Sequence, residues 1–301
     1  METPRITTID LNFSGLPNGI ASFLIEHNSG PILVETGPHS TLPTLEAALL
    51  EYGHKLSDIK HVFISHIHLD HAGAAWCFAE LGAKIYLHPR GFRHMHDPSR
   101  LLSSAQRIYG DDMDRLWGTL KPIDEKQLQI VDHLEEVNID GLTFKAHHTP
   151  GHAQHHIAWQ LGKNLFTGDV AGVCVHNGPV IPPCPPPDID KEAWLDSINW
   201  ISTLSDIDTY YLTHFGSVTD VASHMEKLKQ ALEDYTSFAK PYAEAKKSAE
   251  EILPDFRKFV QEYLMSHGLD TEDAMAYEAA NPSDMSATGL LRYWTKKLEL
   301  K

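Results

Sequence analysis

A chain of 301 residues, 42% hydrophobic and 22% charged, can form one large domain or a domain with an appendage, and no apolar run approaches the ~20 residues of a membrane span. Its 41 acids against 25 bases give a formal charge of -16, which opposes both nucleic-acid binding and docking on anionic membranes. The three cysteines (Cys77, Cys174, Cys184) make no disulfide framework, and the first residues lack the apolar segment of a secretory leader, so the expectation is a cytoplasmic protein.

Two short apolar runs, 20–26 and 31–35, flank the turn signal His27-Asn28-Ser29-Gly30 and predict a hairpin. Residues 41–52 carry Leu45, Leu49 and Leu50 at helical spacing, with Gly53 as the stop. Residues 61–65 read as a buried strand, and the hexapeptide HIHLDH (66–71) follows as a short loop. A helix over 72–81 and a strand over 83–87 complete an alternation that argues for an α/β layered fold. Residues 89–127 mix helical stretches with Pro and Gly breaks and read as a helical insertion. Strands are expected again at 142–147, 157–160 and 164–166. The proline-rich stretch 175–190 must be extended, because its prolines lack amide donors. A helix over 191–204 takes Asp190 as its N-cap, and a last strand covers 209–213. Beyond about 220 the pattern is helical only, with helices expected at 221–239, 243–267 and 287–299. This divides the chain into residues 1–220 and a C-terminal helical region, 221–301.

In HIHLDH, His66, His68, Asp70 and His71 can all bind metal. A turn after a strand can aim His66 and His68 at one ion, and Asp70 and His71 at a second beside it. Isolated histidines such as His54, His133, His224 and His267 read instead as ordinary polar residues among the 20 histidines of the chain. Three further candidates stand at later strand ends: His152 in TPGH (149–152), Asp169 in TGD (167–169) and His214 before Phe215-Gly216. Neutral imidazoles suit Zn, Fe and Mn at about 2.0–2.2 Å, and one carboxylate can span two cations.

The ordered set HIHLDH, TPGH, TGD and a late strand-end histidine resembles the metallo-β-lactamase-fold hydrolases, over roughly residues 16–216. The resemblance implies an αββα sandwich with the metals at one edge, and here a C-terminal helical extension. It implies that His66, His68 and His152 bind one metal, that Asp70, His71 and His214 bind the other, and that Asp169 bridges them. Asp70 and His71 are also the residues carried over as catalytic. The cofactors implied are two divalent ions, Zn before Fe or Mn, with a bridging hydroxide as nucleophile at neutral pH. Glu35, where relatives commonly carry Asp, and His156, four residues after His152, are expected behind the ligands, orienting them. His148 and His155 are not assigned as ligands.

Fold does not give substrate. The helical C-terminal region fits a glyoxalase II-like layout, but that family's basic and Tyr glutathione-binding pattern is missing. Gly172 stands where acyl-homoserine lactonases commonly place Tyr. The chain lacks the basic surface of the family's ribonucleases and the flavodoxin domain of its di-iron members. True β-lactamases are usually exported and often lack the bridging Asp. The expected reaction is hydrolysis of a small ester, thioester, lactone or phosphodiester. A mononuclear iron persulfide-type dioxygenase and a non-catalytic signalling member acting through protein contacts stay open. Phe92, Tyr109, Trp117, Arg90, Arg93, His94 and His96 of the insertion are candidates to touch substrate. The expected partner is a small molecule, with a homodimer possible through the C-terminal helices.

Overall fold

The computed structural model describes residues 4–299; residues 1–3 and 300–301, the outer ends of the two expected regions, lie outside the described residues. Two six-stranded sheets face each other, with helices on both outer surfaces. The first sheet runs β1 (Arg5–Asp10), β2 (Ala21–Glu26), β3 (Ile32–Val34), β4 (His61–Phe63), β5 (Lys84–Leu87) and β6 (Leu128–Ile130), in sequence order. β1 to β3 are antiparallel, and β3 to β6 pair in parallel. The parallel strands have short, almost wholly apolar cores, as strands covered on both faces require. The second sheet holds β7 (Glu136–Ile139), β8 (Leu142–His148), β9 (Ile157–Leu161), β10 (Asn164–Phe166), β11 (Thr209–Leu212) and β12 (Gly216–Val218), also in sequence order.

Between the sheets lies an aromatic core. Phe63 stacks on Tyr86 and Phe144 at centroid distances of 4.3 and 4.1 Å, and Trp159 meets Phe63 edge-on at 5.0 Å. The Trp159 indole donates to the Ile64 carbonyl, so the strand just before HIHLDH is tied directly to the opposite sheet. Outside the first sheet pack α1 (Leu42–Glu51), the short α2 (Leu69–Ala72) and α3 (Ala75–Glu80), with the insertion as α4 (Pro89–His96), α5 (Ser99–Tyr109) and α6 (Met113–Trp117). Outside the second pack α7 (Lys191–Ser202), α8 (Val221–Glu244), α9 (Ala249–Ser266), α10 (Thr271–Ala280) and α11 (Ser283–Glu299).

Several boundaries differ from the sequence reading. HIHLDH is a loop only in its first half, because Asp70 and His71 sit on α2, which starts just after His68. α8 runs through Pro241 and ends with Lys246 in the left-handed region, whereas the sequence reading breaks it at residues 240–242. The real break is set by a capping box: Ser248 Oγ accepts from the Glu251 amide at 3.2 Å, and Glu251 accepts from the Ser248 amide at 2.8 Å. The terminal helix begins at Ser283, four residues earlier than expected. Strands β1, β6, β7 and β12 and helix α10 have no counterpart in the sequence reading. They are short or half-exposed elements whose patterning is weak.

The stretch 175–190 is not extended throughout as expected: it opens with a 3-10 turn at Val175–Asn177, where no proline stands, and then forms a strap, bridged once by Ile181 to Val173, that lies under the C-terminal helices. The Cys184 amide donates to Ser286 Oγ at 3.2 Å, and Asn281 Nδ2 donates to the Pro182 carbonyl at 3.3 Å. Gly289 in α11 permits this approach, since a Cβ there would run into the Cys184 carbonyl. Glycine inside a helix ordinarily weakens it. Here the opposite balance holds, and Gly289→Ala is expected to lower unfolding stability by about 1–3 kcal/mol, measured by urea denaturation.

Candidate metal centre

All the strand ends that carry candidate ligands open on the same edge of the sandwich. β4 delivers Ser65 to His68 and then α2. The turn after β8 delivers His152, the turn after β10 delivers Asp169, and the end of β11 delivers His214. The structure brings the seven candidates together in three overlapping groups: His66, His68 and His152; His66, His71 and Asp169; and Asp70, His71 and His214. His66 Nε2 is 2.8 Å and His152 Nε2 3.1 Å from His68 Nδ1. Asp169 Oδ2 lies 3.3 Å from His152 Nε2, while its Oδ1 lies 3.2 Å from His71 Nε2 and 3.5 Å from His214 Nε2. Asp70 Oδ2 is 3.4 Å from His214 Nε2 and 3.6 Å from His71 Nε2. Asp169 therefore reaches one group with each oxygen.

The donor set fits divalent ions. Ligand atoms about 2.1 Å from a tetrahedral ion stand about 3.4 Å apart, close to these spacings. His71 Nε2 and Asp169 Oδ1 are buried and have no hydrogen-bond partner, a costly arrangement that a shared cation would relieve. Burial, reinforced by the neighbouring imidazoles, holds His66 well below its usual range and His68 at about 3, so both present neutral lone pairs. Burial acts against charge on Asp169 too, but His71, His152 and His214 outweigh it and keep the carboxyl well below the ordinary range. Burial also opposes charge on His71, yet Asp169, Asp70 and Glu35 reverse the balance and raise it.

Behind the cluster, further groups fix its orientation. Glu35 Oε1 accepts from the Ser65 amide at 3.0 Å, and Oε2 lies 3.4 Å from His71 Nδ1. The longer side chain thus still reaches the ligand set. Ser65 Oγ is 2.9 Å from His66 Nδ1. The Pro183 carbonyl accepts from His152 Nδ1 at 2.9 Å, and the Gly19 carbonyl accepts from His214 Nδ1 at 2.7 Å, which sets both rings with Nε2 toward the cluster. His156 Nε2 accepts from the Asp169 amide at 3.1 Å, and its Nδ1 is 2.8 Å from Thr149 Oγ1.

The cluster floors a cavity of about 660 Å³. Of the insertion candidates, Tyr109, Trp117 and His94 line it; Phe92, Arg90, Arg93 and His96 do not. Arg90 turns to Gln154 at 2.8 Å, His96 to the Ile123 carbonyl, and Phe92 packs beside His96. Arg100, Asp188 and His155 also line the cavity, which the sequence reading does not anticipate. His155 is buried beside His66 and His68 with Nδ1 unpartnered, yet stands outside the three groups. Ser65, adjacent to HIHLDH, is detectable in principle. Gly19 and Pro183 act through backbone carbonyls, which leave no residue-type signal.

A family model described as the metallo-beta-lactamase superfamily matches residues 15–214. The chain belongs to the metallo-beta-lactamase superfamily. A metallo-beta-lactamase fold-containing protein of Sulfurisphaera tokodaii is 31% identical over 147 residues, covering 48% of this chain and 56% of that protein, so the match spans little more than half the relative's length. Among solved structures, a metallo-beta-lactamase family protein from Thermus thermophilus superposes with a TM-score of 0.72 at 19% identity, over 100% of this chain and 94% of that one. BJP-1, a subclass B3 metallo-beta-lactamase of Bradyrhizobium japonicum, gives a TM-score of 0.58 at 16% identity, over 79% and 92%. At these identities the two superpositions show the fold: two sheets flanked by helices, extended in the first case through the C-terminal helices. Superfamily membership and the His/Asp groups fit a metal site. Because Glu35 is the carboxylate behind His71, Glu35→Ala is expected to weaken divalent-metal binding about 10–100-fold, read by competition titration with a chromogenic chelator.

Proposed function

We propose that this protein is a dinuclear metal-dependent hydrolase that uses water to cleave a small ester, thioester, lactone or phosphodiester. The reading rests on one observation above all: seven metal-capable side chains converge in one cluster that Asp169 approaches from both carboxylate oxygens, and five of them (His68, Asp70, His152, Asp169 and His214) line the cavity. In this reading His66, His68 and His152 hold one ion, Asp70, His71 and His214 hold a second, and Asp169 bridges them. Zinc suits the imidazole-rich set, and iron and manganese fit it as well. Bound there, such ions supply Lewis acidity toward the scissile group and lower the pKa of water toward about 7.

The chain's own groups do the rest. Glu35, Ser65 and the Pro183 and Gly19 carbonyls hold the imidazoles in fixed orientations, so little reorganisation accompanies reaction. Asp70 is the more open carboxylate, its side chain 24% exposed against 4% for Asp169, which places it to take up or return a proton beside substrate. Most of the cluster is buried, and charge interactions there are stronger than in bulk water. None of the three thiols lines the cavity, and burial pushes each of them up, so the chain offers no thiolate nucleophile there.

Purified protein is expected to hold about two transition-metal ions per chain. His68→Ala is expected to lose metal and hydrolysis together, across thioesters, lactones, phosphodiesters and aryl esters assayed with Zn²⁺-, Mn²⁺- and Fe²⁺-reconstituted protein. Full activity after exhaustive chelation overturns the reading, as does one iron per chain with thiol-dependent oxygen uptake.

A further inference from the structure

We infer that the substrate is an acyl ester or thioester whose acyl chain, of about eight to ten carbons, lies in the cavity above the ligand cluster; this rests on the hydrolase reading above. The cavity holds about 660 Å³, room for about twenty non-hydrogen atoms at roughly 30 Å³ each. A small acetyl-like group would leave most of it unfilled.

Its two walls are apolar and come from opposite parts of the chain. One is aromatic: Trp117 stacks on Phe13 at 5.4 Å and meets Tyr109 edge-on at 5.0 Å, so the three rings brace one another into a firm surface. The other is built from Ala279 and Ala280 at the end of α10 and Met285 at the start of α11. The small side chains leave width there, and Met285 adds an adaptable surface.

Charge along the walls is largely engaged elsewhere. Arg115 pairs with Asp112 at 2.9 Å. Glu278 accepts from the Ser283 amide at 3.2 Å and stands 3.6 Å from Arg257. His94 is held below its usual range, chiefly by burial, and so adds no charge near neutrality. Arg100 and Asp188 lie on the lining with opposite signs. Beyond these side chains, His155 and the uncharged Ser14, Ser104 and Asn281, the polar lining is the ligand cluster at the floor. A cavity polar at its base and apolar along its walls fits a carbonyl group joined to a hydrocarbon chain. In the reaction, water adds to the acyl carbon and the bond from that carbon to the leaving oxygen or sulfur breaks. The products are the carboxylic acid and the alcohol or thiol, and the proton from water passes to the leaving group.

The test uses the full chain reconstituted with Zn²⁺ and two readouts. With 4-nitrophenyl esters from acetyl to dodecanoyl, kcat/KM is expected to rise about fourfold per methylene at first and to peak at eight to ten carbons, at least about a hundredfold above acetyl. By calorimetry, decanoate is expected to bind at least about a hundredfold more tightly than acetate; both carry the same carboxylate, so the ratio isolates the chain. Ala280→Phe is expected to move the optimum several carbons shorter and to erase the decanoate preference. A flat chain-length profile, or equal affinity for decanoate and acetate in the unmodified protein, overturns the inference and leaves the hydrolase reading in place. Hydrolysis of none of these esters, nor of the matching acyl thioesters, likewise overturns the inference, and the hydrolase reading is then decided by the lactone and phosphodiester assays above.

Discussion

Concentrating five imidazoles and two carboxylates within a few ångströms, where water is largely excluded, is the constraint on which the rest of this structure depends. An isolated buried charge costs several kcal/mol unless it is paired. Here the acids and imidazoles face one another at 3.2 to 3.6 Å, and a second ring of groups holds His66, His71, His152, Asp169 and His214 in place. That ring draws on distant parts of the chain: Glu35 after β3, Gly19 before β2, Pro183 in the strap and His156 before β9. The sandwich serves as the frame that lets these segments meet at one edge. Its aromatic interior, with Phe63 and Trp159 locking the two sheets, keeps the strand ends from shifting against one another.

The chemistry-bearing edge and the cavity above it have different origins in the chain. Of the candidate ligands, His66, His68, His152, Asp169 and His214 lie on turns after core strands, and Asp70 and His71 lie on α2. The walls come from the loop around Phe13, from α5 and α6 of the insertion, and from the junction of α10 and α11. The strap connects the two levels. Its Pro183 carbonyl holds His152, while Asn281 and Ser286 hold the strap. A change in the outer helices is thereby felt at His152 through two hydrogen-bonded steps.

The seven ligand candidates are legible in the sequence because metal chemistry restricts residue type, and because four of them crowd into one hexapeptide after a strand while the other three stand near later strand ends. Asp70 and His71 are readable as chemistry, though not as a helix, since a four-residue helix has no periodicity to detect. Long amphipathic segments such as α7 and α8 are legible for the opposite reason: many turns repeat one pattern. Pro241 misplaces the end of α8, because a capping box several residues beyond the expected break outweighs one lost amide. Edge strands β1 and β12 escape the sequence reading because they are only half-covered, so their apolar alternation is faint. The carbonyls of Gly19 and Pro183 have no signature at all. Which insertion residues face the cavity depends on the rotation of α4 and α5, which the sequence does not set.

The strap also bears on the order in which the protein takes shape during synthesis. A nascent chain that has reached Gly216 already contains every ligand candidate. It does not yet contain Asn281, Ser286 or the helices that press residues 182–184 into place. The hydrogen bonds from Asn281 and to Ser286 that secure residues 182–184 can therefore form only after some seventy further residues have been made, roughly three to fifteen seconds later at ordinary elongation rates. The last fastening of the strap behind His152 is thus supplied by the segment made latest among those that touch it.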